Sequence, residues 1–74
     1  MDFGARLRML RAGAALSQRE LAAMVDLSAS EISKLENGVY RPGTDIERRL
    51  REALNWTPEV DEALDRIVPE QATR

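Results

Sequence analysis

The 74-residue chain contains no cysteine and no histidine. That removes disulfides, thiolate metal sites, thiol nucleophiles and the residue most often used for proton transfer near neutral pH. No nucleophile paired with a base, no metal-ligand spacing and no phosphate-cradling glycine loop can be found, so no catalytic residue, metal site or cofactor is assigned and no enzyme is expected. Long apolar runs are also missing. Nothing approaches the ~18 residues of a membrane helix, and Asp2, Arg6, Arg8 and Arg11 interrupt the stretch a secretion signal would need, so a soluble, cytoplasmic protein with no membrane partner is expected. Lysine occurs once against ten arginines, and alanine also occurs ten times, a bias that points to a GC-rich bacterial or phage genome. A chain this short makes one domain with a modest core, burying about 60 to 65% of its unfolded surface, so its stability is expected to be marginal or shared with a partner.

A strong excess of positive charge is lacking too, since the net charge is −2. The balance is uneven, however. Residues 1–51 carry nine basic and seven acidic side chains, a net of +2, and residues 52–74 carry two basic and six acidic, a net of −4. The basic excess (Arg6, Arg8, Arg11, Arg19, Lys34, Arg41, Arg48, Arg49 and Arg51) could meet a polyanion, from which Asp61, Glu62, Asp65 and Glu70 must point away.

What the chain does have is a repeated helix-start signal. Ser17 with Glu20, and Ser28 with Glu31, each form Ser-x-x-Glu, in which the hydroxyl accepts the amide three residues on and the carboxylate reaches back to the serine amide. The two starts are joined by too few residues for anything but a tight turn, which describes a helix-turn-helix. Thr44 with Glu47 repeats the pattern. Apolar spacing predicts a first helix from Phe3 to Ala14, a second from Gln18 to Met24 and a third from Ala29 to about Asn37. A fourth is predicted from Thr44 to Leu54 and a short fifth after Thr57-Pro58 to about Val68. Gly13 and the small residues after it ease the end of the first helix, and Gly38 supplies the left-handed residue that ends the third. Between the second and third helices, Asp26 must take positive φ, which aspartate adopts at a cost glycine would avoid. At 100° per residue, Ile32, Leu35 and Glu36 share one face of the third helix, with Ser30, Ser33, Lys34 and Asn37 roughly opposite.

The order and spacing of these pieces resemble the phage Cro/repressor type of helix-turn-helix, the xenobiotic-response-element regulator family. The resemblance is carried by Arg-x-x-x-x-Leu-Ser-Gln-Arg-Glu-Leu-Ala from Arg11, Leu-Ser-x-x-x-Ile-Ser-Lys-Leu-Glu-Asn-Gly from Leu27, Arg41-Pro42, and the helix around Leu50 to Leu54. It covers residues 3–56, and Asp26 departs from the glycine usual there. The resemblance implies an all-α, lambda-repressor-like five-helix DNA-binding domain, with helices 2 and 3 as the helix-turn-helix. Its expected parts are a DNA-binding domain over 1–56, a C-terminal helix over 57–68 and a disordered tail over 69–74.

If the resemblance holds, the third helix enters the major groove of double-stranded DNA, the groove whose base edges are all distinguishable. Ala29, Ser30, Ser33 and Lys34 then read bases, with Lys34 contributing the largest preference, about 1 to 3 kcal/mol, and serine discriminating poorly because it both donates and accepts. Gln18, Arg19, Asn37 and Arg41 are expected on phosphates. Arg8, Arg48, Arg49 and Arg51 read as ordinary surface charges. Glu36, on the inward face, needs a buried partner, and the family supplies Arg11. Trp56, Val60, Leu64, Ile67 and Val68 form a stripe that either caps the core or makes a homodimer patch, the latter placing two recognition helices about 34 Å apart on a roughly palindromic operator. The function implied is a nucleoid-associated transcriptional regulator, a repressor acting by operator occupancy. The competing reading is an antitoxin or adapter on the same fold, whose acidic tail grips a partner protein.

Overall fold

Both serine signals form as predicted. In the computed structural model, which describes residues 1–67, Ser17 Oγ accepts from Glu20 N (2.9 Å) while Glu20 Oε1 accepts from Ser17 N (2.8 Å). Ser28 and Glu31 repeat the exchange at 3.1 and 2.8 Å. These caps open α2 (Gln18–Val25) and α3 (Ala29–Glu36). Helix α1 (Phe3–Gly13) starts on an unpredicted cap, Asp2, whose carboxylate accepts from Ala5 N at 2.9 Å. Helices α4 (Thr44–Ala53) and α5 (Pro58–Ile67) complete the order, and no strand is present among the described residues. The molecule is therefore an all-α, five-helix domain, with predicted ends correct to within one residue.

The Thr44 cap is a correction. Gly43 is the N-cap of α4 and makes no side-chain bond, so Thr44 is already the first helical residue. The Glu47 carboxylate that would complete the cap is taken by Arg51 Nε at 2.9 Å, one turn further on. At the end of α1, Gly13 is the last helical residue, as the predicted span allows, and it is Ala15 among the small residues after it that takes the left-handed conformation, at φ 60.

Four helix ends share one closure. A left-handed residue (Ala15, Asp26, Gly38, Asn55; φ 54 to 73) lets the next amide reach back five residues. The bonds are Leu16 N to Arg11 O (3.1 Å), Leu27 N to Ala22 O (2.9 Å), Val39 N to Lys34 O (3.0 Å) and Trp56 N to Arg51 O (2.8 Å). The residue just past each turn is apolar. Trp56 is buried and Leu16 and Leu27 pack against the core, so each stop also sets a plug, whereas Val39 stays 65% exposed.

Leu7, Leu21, Ile32, Leu35 and Leu50 are fully buried and join α1, α2, α3 and α4 in one core with Ala22, Val25 and Trp56. Helix α3 packs on α1 and α2, and α2 packs on α4. Close approach of α1 to the end of α3 requires Gly4, where a Cβ would lie 2.5 Å from Glu36 O and 2.6 Å from Leu35 O. One residue earlier in α1, Phe3 stacks on Trp56 (centroids 5.0 Å apart), the Arg51 guanidinium lies 4.6 Å above the indole, and Nε1 donates to Asp61 Oδ1 at 2.9 Å. Of the predicted C-terminal stripe, Trp56 and Leu64 are buried, Val60 packs on the core and Ile67 is 69% exposed. Val68, like the 69–74 tail, lies outside the described residues.

Candidate nucleic-acid interface

The turn between α2 and α3 is Asp26-Leu27, with Asp26 at φ 62, ψ 43 as its position requires. It lets the inner faces of both helices meet: Leu21, Ala22 and Val25 against Ile32 and Leu35. The outer face of α3 is consequently left to solvent. Ser30 and Lys34 are exposed, and Ala29 and Ser33 are partly so. Gln18, at the first position of α2, is partly exposed, and Arg19, Asn37 and Arg41 are exposed.

Behind this face lies one buried carboxylate. Glu36 is only 5% exposed, and Arg11 meets it with Nε on Oε2 at 2.6 Å and Nη2 on Oε1 at 3.2 Å. Arg11 also donates to Leu16 O at 2.8 Å, so the ion pair ties α1, its terminal turn and α3 together. Two further partners were not foreseen. Gln18 Nε2 donates to Glu36 Oε1 at 3.0 Å, and Arg8 Nε stands 3.6 Å from the same oxygen. Burial by itself would raise the Glu36 carboxyl, but hydrogen bonds from Arg11 and Gln18 and the charges of Arg11 and Arg8 hold it below its ordinary value. The Gln18 amide keeps one further N–H uncommitted.

Most of the basic side chains of residues 1–51 are neutralised inside the molecule. Arg6 pairs with Asp61 at 2.7 Å and with Asp65. Arg51 bridges Glu47 and Asp61 at 2.9 and 3.1 Å. Asp45 takes both Arg49, at 2.7 Å, and Arg48, and its carboxyl is lowered chiefly by the Arg49 hydrogen bond. Arg49 also donates to Val25 O at 3.1 Å. Arg51 is thus an anchor of the α4–α5 corner rather than the ordinary surface charge its sequence position suggests, and Asp61 and Asp65 are occupied by the chain's own cations. Among the described residues, the basic side chains of this stretch that make neither an ion pair nor a hydrogen bond are Arg19, Lys34 and Arg41. They sit on α2, on α3 and in the loop after α3.

Sequence reasoning missed Arg8, whose Nη2 donates to Asn37 Oδ1 at 2.7 Å; contacts between α1 and the end of α3 leave no trace in periodicity. It also missed Val39 and Tyr40, 65% and 45% exposed beside Arg41. No group of His, Cys, Asp and Glu side chains able to hold a metal occurs among the described residues, nor any helix long and apolar enough to cross a membrane. No match was found to a curated protein or to a solved structure. A family model for the helix-turn-helix domain, by contrast, matches residues 2–64, from the cap of α1 into α5. With paired capping boxes, a tight turn opened by the left-handed Asp26 and an outward polar face on the second helix of the pair, the chain belongs to the helix-turn-helix domain family of DNA-binding proteins.

Proposed function

We propose that the protein is a sequence-specific transcriptional regulator, a repressor that occupies a roughly palindromic operator as a homodimer and reads the major groove with α3. Ala29, Ser30, Ser33 and Lys34 meet base edges, and Gln18, Arg19, Asn37 and Arg41 meet phosphates. One observation carries the reading: among the basic residues of 1–51, those whose side chains form no ion pair among the described residues are Arg19, Lys34 and Arg41, all on the helix-turn-helix or the loop that follows it. A net charge of −2 therefore coexists with a local cationic face. A regulator with so few free cations depends on two copies for useful affinity, and the exposed Ile67 end of α5 is where a second copy would add apolar contact.

Selection of bound fragments from a random duplex pool, followed by salt titration on the selected site, tests this. The expected result is a symmetric motif. Arg19→Ala and Arg41→Ala should each flatten the log-affinity against log-salt slope by about 0.9 per bound copy, while Arg48→Ala, at a side chain already paired with Asp45 and Glu52, leaves it unchanged. DNA affinity insensitive to salt, together with a co-purifying basic partner, would overturn the reading in favour of the adapter.

A further inference from the structure

Serine is ambiguous as a reader of bases because its hydroxyl can donate or accept. In this molecule a short chain of contacts removes the ambiguity at Ser33. Arg8, steadied 3.6 Å from the buried Glu36 carboxylate, directs Nη2 at the side chain of Asn37, 2.7 Å away. A guanidinium only donates, so the Asn37 atom facing it must be the carbonyl oxygen. The amide nitrogen is then turned the other way, where it donates to Ser33 Oγ at 3.3 Å. Ser33 accepts that bond, and its own hydroxyl hydrogen has no acceptor among the described residues.

We infer that Arg8 is a positioning residue for specificity: through Asn37 it polarises Ser33 into a hydrogen-bond donor, so that Ser33 selects base edges offering an acceptor. Those edges are purine N7, guanine O6 and thymine O4, and the edges refused are the amino groups of cytosine N4 and adenine N6, which would bring donor against donor. The inference rests on the proposed reading of DNA by α3 and goes beyond it by fixing the sense of one contact. It also gives α1, which does not enter the groove, a part in operator choice.

The test is the same selection from a random duplex pool, run on the full chain and on five variants, with thermal melting confirming that each is folded. In the parent protein one base-pair position should favour an acceptor edge by about fivefold, the worth of a single hydrogen bond. Ser33→Ala should abolish that preference and so identify the position. Asn37→Asp is the decisive variant. Its carboxylate accepts from both neighbours, forcing Ser33 to donate inward and present lone pairs, so the preference at that position should invert toward an amino edge. Arg8→Ala frees the Asn37 amide to turn over and should weaken the preference. Arg8→Lys, also a pure donor, should restore it, which a merely structural role for Arg8 would not require. Lys34→Ala should leave this position alone while changing another. Retention of the parental preference in Asn37→Asp, or a Ser33→Ala profile identical to the parent at every position, overturns the inference with the DNA-reading function intact. A parent protein that selects no sequence overturns both.

Discussion

Among the described residues, Glu36 is the one charged side chain buried with the core. It is a carboxylate inside a small core, held by Arg11 on both oxygens and by Gln18 on one. Removing it leaves the Arg11 guanidinium half-buried without its counter-charge, so Glu36→Ala should cost about 3 to 5 kcal/mol in chemical denaturation. The double variant Arg11→Ala/Glu36→Ala should cost less than the sum of the two single changes, because the second removal no longer strands a charge. Additive energies would show that the pair does not act as a unit. The family resemblance suggested Arg11 as the partner, and the angle count placed Glu36 inward. As partners of Glu36, Gln18 and Arg8 could not be read from sequence, where Gln18 looks like a phosphate ligand and Arg8 like a surface charge, until the fold brings α1 and the start of α2 against the end of α3.

Helix starts were legible in this sequence and helix stops only partly so. Ser17 and Ser28 announce their helices by type and spacing alone, since the capping chemistry is local. Thr44 has the same spacing and fails, because Glu47 has a stronger partner in Arg51, one turn along the same helix. The left-handed stops at Gly38 and Asp26 were readable from residue type and motif, whereas Ala15 was not: nothing about an alanine advertises φ 60, and the packing of Leu16 beyond it, with the hydrogen bonds between Leu16 and Arg11, offsets the strain. Gly4 was silent for a related reason, its role being visible only where two helices cross. Gly4→Ala must push α1 away from the carbonyls of Leu35 and Glu36, so it should destabilise the domain by about 1 to 3 kcal/mol in thermal or chemical unfolding despite alanine's better helix propensity. A stability equal to or above that of the parent would mean that the contact yields freely. At the outer face of α3, the sequence told which residues face solvent but not that Asn37 is clasped from α1.

Carboxylates join the pieces into one domain, and that dictates its response to acid. Burial tends to raise Asp61, yet hydrogen bonds from Trp56, Arg51 and Arg6 hold it below its usual value, as Glu36 is held at the other end of α1. A carboxyl lowered in the folded state binds protons more readily when unfolded. The stabilisation is therefore fully present above the unfolded values of about 4 and is lost as pH falls through the folded values. The melting temperature should be flat through neutral pH and drop steeply below about pH 4, and an unchanged value at pH 3 would contradict this. A different consequence follows from the brevity of α3. Eight residues are too few to hold a helix in water, so the surface offered to a ligand exists only while the other helices clamp its underside. Occupancy and cohesion are thus a single equilibrium: a duplex present at 100 times its dissociation constant should add about 2.7 kcal/mol against heat, and warming should release the duplex by dissolving the grip itself.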